Sequence, residues 1–312
     1  MQIAWLFPGQ GSQSVGMAKD IVAASPAARD VFARVDEALG EKLSALILEG
    51  PEAELTMTAN TQPAIVATSC AILAALRERM PDLPAPRYAA GHSLGEYSAL
   101  VAAGALRLED AVRIVRARGR AMQEAVPREV GAMAAVMGID AARLEALCRE
   151  AAHGEVVSPA NFNAPGQIVI AGHAGAVARV SELVSLEKGK AIALKVSAPF
   201  HCALMAPAAR VVESELARVT IDAPAFPIVA NVDAHPNRDA ARVKELLVRQ
   251  VDGAVRWEET VRFMASEGIT RALEIGPGKV LANLVKRTSK DLKVLSVGDS
   301  ASLDEVAAFL TA

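Results

Sequence analysis

Five consecutive residues, Gly91-His92-Ser93-Leu94-Gly95, place a serine hydroxyl between two glycines. A short β-type run over 87–90 precedes them and a helical run over 96–103 follows, which is the strand–turn–helix setting of a nucleophile elbow. The glycines allow backbone to pass close on both sides, so Ser93 can hold a strained conformation at a helix N-terminus, where developing negative charge is favoured. An ordinary glycine-flanked turn fits the same five residues, so a partner for Ser93 must decide between the two.

A serine hydroxyl needs a base within hydrogen-bond reach, and the base is most often histidine. The chain has five histidines. The sharp turn should aim His92 away from its neighbour Ser93, into a packed or hydrogen-bonded role, and three others fall in polar loops or turns: His153, His173 and His235. His201 instead follows a β-type run over 191–196, where a helix begins, and such strand ends collect site residues in α/β folds. Elimination favours His201 as the base, although a lone histidine can also be structural.

A third candidate is Arg118, whose position conflicts with its charge. On a helix over 108–122, Arg118 falls in the middle of an apolar stripe formed by Ala111, Ile114, Val115 and Met122, whereas Arg113, Arg116 and Arg120 take the opposite, solvent-facing side. A buried guanidinium needs an anion, and its planar fork suits a carboxylate. A substrate carboxylate is one such anion. An internal partner, Glu96 or Glu124, and a side chain that reaches back to solvent are the alternatives.

A glycine-rich turn, Phe7-Pro8-Gly9-Gln10-Gly11-Ser12-Gln13, follows the first β-type run. It invites a dinucleotide-binding interpretation, but Ser14 stands where G-x-G-x-x-G requires its third glycine. Nicotinamide binding is therefore the competing hypothesis. The favoured one is that a backbone N–H of this loop serves as second oxyanion donor beside the N–H of Leu94.

The composition excludes several classes of protein. With 33 Lys and Arg against 36 Asp and Glu, the net charge is −3, so there is no basic field to attract nucleic acid. Hydrophobic residues make up 52%, yet no apolar run approaches the roughly 20 residues that a membrane span needs. The first seven residues lack the basic flank of a signal peptide and are interpreted as a strand. The three cysteines, Cys70, Cys148 and Cys202, form no C-x-x-C pair, which argues against a disulfide scaffold or a zinc site and favours a cytoplasmic location.

Alternating β-type and helical runs predict an α/β fold with a parallel-rich sheet. The β-type runs cover 3–7, 87–90, 132–137, 168–171, 191–196, 228–230 and 272–275, and the clearest helical runs cover 64–79 and 203–218. Residues 132–196 follow a β-α-β-β-α-β order, with helices at 141–152 and 175–184 and a strand near 156–157. We therefore predict a larger α/β-hydrolase-like domain, residues 1–128 and 198–312, into which a ferredoxin-like subdomain, residues 129–197, is inserted.

Taken together, the motifs resemble those of the malonyl-CoA:acyl carrier protein transacylase family, over essentially the whole chain. The matching blocks are Phe7–Gln13, Thr61-Gln62-Pro63-Ala64, Gly91–Glu96, Arg118-Gly119, Gly131-Ala132-Met133-Ala134, Asn161–Gln167, Pro199-Phe200-His201 and Glu274-Ile275-Gly276-Pro277-Gly278. Several blocks in the right order are far more specific than any one of them.

The resemblance implies a role for each matching residue. Ser93 would be the acylated nucleophile, His201 the general base and then acid, and Arg118 the clamp on the free malonyl carboxylate. Gln10 and Leu94 would be the oxyanion donors, and the main-chain carbonyl of Gln250 would orient the histidine. Gln62 and Asn161 would line the pocket. Phe200 is the residue that the family has at this position in members that take malonyl rather than branched units.

The implied reaction is a two-step transfer of malonyl from malonyl-CoA to the thiol of an acyl carrier protein, with no cofactor or metal, supplying fatty-acid or polyketide synthesis. A serine hydrolase on a similar elbow remains the alternative, since no residue count reveals whether water reaches the acyl-serine. Carrier proteins are acidic, so docking is expected to use basic groups near the cleft, with candidates Lys188, Lys190, Lys195, Lys286 and Arg287.

Overall fold

The computed structural model describes residues 2–127 and 129–311, and it forms a mixed α/β fold with two sheets. Met1, Arg128 and Ala312, which lie at the limits of the predicted ranges, fall outside the described residues. The strands are β1 Ile3–Phe7, β2 Tyr88–Gly91, β3 Gly131–Met137, β4 Val157–Ala164, β5 Gln167–His173, β6 Lys190–Ala193, β7 Ile228–Val229, β8 Pro236–Asn237, β9 Arg271–Ile275 and β10 Lys293–Val297.

Helices fill the intervals between the strands. They are α1 Lys19–Ala24, α2 Pro26–Leu39, α3 Leu43–Glu49, α4 Glu52–Leu55, α5 Thr58–Arg79, α6 Gly95–Ala102, α7 Leu108–Glu124, α8 Ala141–Ala151, α9 Ala174–Leu186, α10 Ala206–Ala217, α11 Ala240–Asp252, α12 Trp257–Ser266, α13 Val280–Thr288 and α14 Ser300–Thr311. The predicted α/β class and parallel-rich sheet are confirmed. The long gap between β1 and β2 is helical, as expected.

The larger sheet has the order β10-β9-β1-β2-β7-β8, and all its pairings are parallel except that of the short edge strand β8. Both faces are covered: Ile3, Trp5 and Phe7 belong to one core cluster, whereas Ala4 and Leu6 belong to another on the opposite face. Burial on both faces explains why β1 is apolar throughout rather than alternating.

The smaller sheet is antiparallel, with the order β4-β5-β3-β6, and α8 and α9 pack on it around a separate core. Strand β4 is much longer than the two residues predicted, because it continues through Asn161 to Ala164 across two irregularities in its register. Val255, in the segment between α11 and α12, hydrogen-bonds to both Ala160 and Phe162, so β4 also pairs with a segment that packs on the larger sheet.

Other elements also differ from the prediction, and β6 ends at Ala193 rather than at 196. The helix expected over 203–218 begins with a 3₁₀ turn at Ala203–Met205, and α10 starts only at Ala206, with Pro207 in its first turn, where proline is tolerated. Strand β10 was not predicted, since its partly exposed residues give no buried apolar run.

Helix α5 qualifies the expectation about membrane spans. Over the described residues it is long and apolar enough to cross a membrane, but 83% of its most apolar stretch is buried inside the protein. The sequence analysis found no apolar run of this length because Pro63 and several small polar residues interrupt the apolar pattern of α5. Its burial against α2 and α7 is that of a core helix.

A buried carboxylate holds the start of α13. Glu274, at the end of β9, accepts hydrogen bonds from the backbone N–H of Leu281 at 2.8 Å and of Ala282 at 3.0 Å, and from the Ser296 hydroxyl at 2.7 Å. No side chain at the helix N-cap does this. Burial raises the pKa of Glu274, and the three hydrogen bonds oppose that rise.

We expect Glu274→Ala to lower the free energy of unfolding by about 2 to 3 kcal/mol, because it leaves a buried N–H group at Leu281 and a half-buried one at Ala282 without an acceptor. The midpoint and slope of urea unfolding measure this. Glu305→Ala, at an exposed glutamate of α14, is the control and should change stability by less than about 0.5 kcal/mol. Equal stability of the two variants would show that Glu274 does not anchor α13.

Candidate active site

Three adjacent parallel strands, β1, β2 and β7, carry polar residues just beyond their carboxyl ends. Gln10 follows β1, Ser93 follows β2 and Asn231 follows β7. Because carboxyl ends of parallel strands meet at one edge of the sheet, these loops converge there. This edge is the usual location of a site in an open α/β sheet.

The turn after β2 is as tight as the glycine spacing predicted. Ser93 has φ 52°, in the left-handed region that non-glycine residues rarely adopt. A Cβ on Gly91 would lie 1.9 Å from the carbonyl carbon of Gly95, and one on Gly95 would lie 2.2 Å from the oxygen of Phe7. Both glycines are therefore required by close backbone approach, and the turn projects Ser93 at the start of α6.

Ser93 and His201 meet although 108 positions separate them. Ser93 Oγ lies 2.8 Å from His201 Nε2, and His201 Nδ1 lies 2.8 Å from the carbonyl oxygen of Gln250 and 3.2 Å from that of Gly253. Carbonyl oxygens only accept, so Nδ1 must carry the proton. Nε2 is then free to accept the Ser93 hydroxyl, which is the geometry of a nucleophile and its base.

The His201 imidazole is held neutral. Burial and, second to it, the positive charge of Arg118 lower its pKa to about 3, although the hydrogen bonds to the Gln250 and Gly253 carbonyls oppose the fall. His201 also has φ 59°, so both members of the contact occupy strained backbone.

Arg118 is 1% exposed, as the helix projection predicted. It donates to Gln62 Oε1 at 2.7 Å, Gln250 Oε1 at 2.9 Å and Ser93 Oγ at 3.0 Å. All three acceptors are neutral, and no carboxylate of the described residues lies within 4 Å of the guanidinium. Neither Glu96 nor Glu124 is its partner, and the side chain does not reach solvent. The site therefore holds a buried positive charge beside Ser93.

The expectation for Arg116 is wrong. The helix projection places Arg116 on the solvent-facing side with Arg113 and Arg120. In the structure it is buried, pairs with Glu41 and donates a hydrogen bond to Asn60. The helix projection could not show this because the covering residues come from the segments before α3 and within α5. Arg113 and Arg120 are exposed as expected.

Some backbone N–H groups near Ser93 donate a hydrogen bond within the protein, and others have no acceptor. The Ser93 N–H donates to Asn231 Oδ1 at 2.7 Å. The N–H groups of Leu94 and Gln10 have no acceptor among residues 2–127 and 129–311. These are the two positions that the family resemblance implies as oxyanion donors, and both remain available to a ligand.

One cavity of about 240 Å³ joins most of the predicted residues. Its lining includes Gln10, Gln62, Ser93, Arg118, Asn161, Phe200 and His201, together with apolar side chains from α7, α13 and the smaller sheet. Leu94 and Gln250 lie beside it through the neighbouring Ser93 and Arg118. The predicted residues thus gather at one site between the two sheets.

His92 departs in part from its prediction. It is buried and hydrogen-bonded, with Nε2 2.9 Å from Asn163 Oδ1, as expected. However, its ring does not point away from the site, since it lines the same cavity as Ser93. His153, His173 and His235 are remote from this lining; His173 accepts the Val156 N–H and His235 is exposed.

The sequence analysis did not identify the side chains that hydrogen-bond to the backbone of the Ser93 turn. Asn231 and Glu96 are both buried and bonded around the turn, and the side chain of Gln250, not only its carbonyl, contacts Arg118 and Ser93. Asn231 directly follows the β-type run over 228–230, so the strand-end rule that selected His201 could have found it.

The chain belongs to the acyl transferase family: the model of the acyl transferase domain matches residues 4–306. Its relatives include the malonyl CoA-acyl carrier protein transacylase of Salmonella typhimurium, 47% identical over 303 residues that cover 97% of each chain. The solved structure of the malonyl CoA-acyl carrier protein transacylase from Coxiella burnetii superposes with a TM-score of 0.95, at 40% identity, covering 99% of this chain and 97% of that one. A structure of a type II PKS acyl-carrier protein in complex with its malonyl-transacylase matches at 44% identity and a TM-score of 0.95, covering 100% of both chains.

We expect the His201 imidazole to stay neutral from pH 8 down to pH 5, because burial and Arg118 both disfavour its charged form. Histidine ring chemical shifts in a ¹³C-labelled protein, assigned with His201→Ala, measure this. Since the folded pKa lies below the unfolded value of about 6.5, the stability from this site is complete above that pH and is lost as pH falls towards 3. A titration midpoint within one pH unit of 6.5 would contradict the prediction.

Proposed function

We propose that this chain is an acyltransferase that moves a malonyl group from malonyl-CoA to the phosphopantetheine thiol of an acyl carrier protein through a malonyl-serine intermediate. The observation that carries the proposal is the set of contacts in which Ser93 Oγ lies within hydrogen-bond distance of both a neutral imidazole and a buried guanidinium. The transacylase relatives, which span 97% of the chain, support the substrate class. The product supplies extender units for fatty-acid or polyketide synthesis.

In the first half-reaction Ser93 Oγ attacks the thioester carbonyl carbon while its proton passes to His201 Nε2. The developing oxyanion accepts hydrogen bonds from the N–H groups of Leu94 and Gln10, which is supported by their lack of an acceptor among the described residues. The carbon–sulfur bond then breaks, and His201 returns the proton to the departing coenzyme A thiolate. Malonyl remains as an ester on Ser93.

The second half-reaction runs the same chemistry in reverse. The carrier thiol gives its proton to His201 and its sulfur attacks the ester carbonyl; the Ser93 oxygen leaves and takes the proton back. Gln250 keeps the imidazole in the required tautomer through its carbonyl oxygen, a neutral replacement for the carboxylate of a Ser-His-Asp triad. Two products leave in turn, so the kinetics are ping-pong.

Arg118 binds the free carboxylate of malonyl. Its present acceptors are neutral oxygens, so an arriving carboxylate meets an uncompensated charge and forms a charge-assisted pair. Gln62 holds the guanidinium in place, while Asn161 and Phe200 line the acyl pocket.

The carrier protein docks at the mouth of the cavity, between α13 and the smaller sheet. Lys286 and Arg287 lie on α13, whose residues line the cavity, and Arg287 donates to Gln167, another lining residue. Lys188, Lys190 and Lys195 lie at or beside β6. None of these five forms an ion pair within 4 Å among the described residues, so their charge is free to meet an acidic carrier.

The finer description of the fold belongs to the same proposal. Residues 1–128 and 198–312 form an α/β-hydrolase-like domain, supported by the parallel sheet and the elbow after β2. Residues 129–197 form a ferredoxin-like subdomain, supported by the β-α-β-β-α-β order and the separate core. Three free, buried cysteines support a cytoplasmic setting.

We expect incubation with malonyl-CoA to add one malonyl group to Ser93, because its hydroxyl has both a base and a charge to orient the substrate. Intact-mass measurement and peptide mapping check this, with Ser93→Ala as the unlabelled control. On addition of carrier protein the label should move to the carrier faster than free malonate appears. Rapid release of malonate with no transfer would identify a hydrolase, and no labelling would overturn the proposal.

Arg118→Ala is expected to lower kcat/KM for malonyl-CoA by about 10² to 10³-fold, because a malonyl carboxylate in this cavity would lose its charged partner. Transfer of an acetyl group should fall much less, since it carries no charge to leave unpaired. Parallel assays with both acyl donors measure the difference. Arg113→Ala, on the exposed side of the same helix, should change neither rate, and equal losses for both donors in Arg118→Ala would contradict the clamp.

A further inference from the structure

The carboxylate of Glu96 is buried directly behind the Ser93 turn, in the first turn of α6. Its Oε2 accepts two hydrogen bonds, from the backbone N–H of Asn231 at 3.0 Å and from Gln250 Nε2 at 3.0 Å. These donors come from the segment after β7 and from α11, so one oxygen atom ties together two distant parts of the chain.

Both residues that Glu96 holds in turn bind the peptide groups of the nucleophile turn. Asn231 Oδ1 accepts the Ser93 N–H at 2.7 Å and Asn231 Nδ2 donates to the Gly91 carbonyl at 2.7 Å. Gln250 Nε2 donates to the Ser93 carbonyl at 2.8 Å. The Ser93 N–H and carbonyl are thus both bound by side chains, and Glu96 binds the residues that carry them, Asn231 through its backbone N–H and Gln250 through its side-chain amide.

These contacts supply hydrogen-bond partners to the strained backbone of the turn. At φ 52° Ser93 has left the sheet and has not entered the regular part of α6, so its N–H has no backbone acceptor among the described residues and depends on Asn231, while its carbonyl accepts the Glu96 N–H at 3.1 Å as well as Gln250 Nε2. The strained conformation persists only while its surroundings fix it. Gln250 also orients His201 and Arg118, so a shift of Gln250 would disturb the nucleophile, base and guanidinium together.

We infer that Glu96 is a positioning residue for the proposed acyl transfer, which fixes Asn231 and Gln250 so that they hold Ser93 in its attacking geometry. The inference rests on the proposed function. Glu96 does not line the cavity and makes no hydrogen bond to Ser93 Oγ or His201, so it acts through its two partners. Its acceptor oxygen, rather than its charge, performs this role.

Two features support a role that depends on shape rather than charge. Burial raises the pKa of Glu96 to about 7, although the hydrogen bonds from Asn231 and Gln250 oppose the rise. Both donors reach the same oxygen, so an amide of equal length could still accept both bonds. A shorter carboxylate could not, because its oxygens would withdraw by one methylene.

Two conservative variants separate shape from charge. Glu96→Gln keeps the length and an acceptor oxygen, and we expect its single-turnover rate of Ser93 acylation by malonyl-CoA to stay within about threefold of the unaltered protein. Glu96→Asp keeps the charge but withdraws the oxygen, and we expect that rate to fall by about 10²-fold, the effect of a misplacement near 1 Å. The dissociation constant of malonyl-CoA, measured on a Ser93→Ala background, should change little in either variant because Arg118 is retained.

Rapid-quench labelling followed by intact mass gives the rate, and thermal unfolding confirms that each variant is folded. Asp36→Asn is the matched control, since Asp36 is a buried carboxylate that binds Ser44 outside the cavity lining, and its acylation rate should be unchanged.

Failure of this inference differs from failure of the proposed function. If the unaltered protein is not acylated at Ser93, the proposed function fails. If it is acylated, but Glu96→Gln is slowed as much as Glu96→Asp, or a folded Glu96→Asp reacts at the normal rate, the positioning role of Glu96 is overturned and the acyl transfer stands.

Discussion

The buried positive charge of Arg118 determines which polar groups can surround it in the cavity. A guanidinium removed from water is costly unless charged or polar groups surround it, and here the compensation comes from amide and hydroxyl oxygens of Gln62, Gln250 and Ser93. An internal carboxylate would stabilise the free protein better, but it would also occupy the fork that a substrate carboxylate needs. The site therefore keeps a charge that is solvated by dipoles and not neutralised. In the proposed transfer, specificity for an acidic acyl group follows from that incomplete compensation.

The same charge affects the base. Arg118 and burial together depress the pKa of His201, and two backbone carbonyls, rather than a carboxylate, orient the ring. A carboxylate at that position would raise the pKa of the imidazole and would compete for Arg118. The carbonyl oxygens of Gln250 and Gly253, in place of an acid, thus leave Arg118 free for the anion that the proposed function assigns to it. The base and the clamp are one electrostatic arrangement.

How much of this the sequence could predict depends on the range of each interaction. The turn at Ser93 was predictable because its cause is local: two glycines between a strand and a helix, whose close backbone approaches the structure confirms. The burial of Arg118 followed from helix periodicity for the same reason. Arg116 was misassigned because the groups that bury it, Glu41 and Asn60, belong to other segments, which periodicity within one helix cannot report.

Long-range partners were the main omission. The sequence analysis considered Glu96 only as a possible internal partner of Arg118, and nothing local indicates that its oxygen binds Asn231 and Gln250, which lie more than 130 positions away. The extent of β4 was missed for a related reason, since its polar residues are paired with β5 and with Val255 rather than marked by an apolar run.

A weak base has a consequence for the choice between a thiol and water as acceptor. In the proposed second step His201 must take a proton from the attacking group, and a histidine of depressed pKa does this more readily for an acidic donor. A thiol, with a pKa near 8.5, is several units more acidic than water, near 15.7. The lowered basicity of His201 therefore penalises hydrolysis of the malonyl-serine ester more than its transfer to a thiol. A carboxylate bound to Arg118 would offset part of the charge that depresses the His201 pKa, so the base would be strongest when malonyl is in place. In the proposed mechanism, selectivity for the acyl group and discrimination against water then arise from the same pair of side chains.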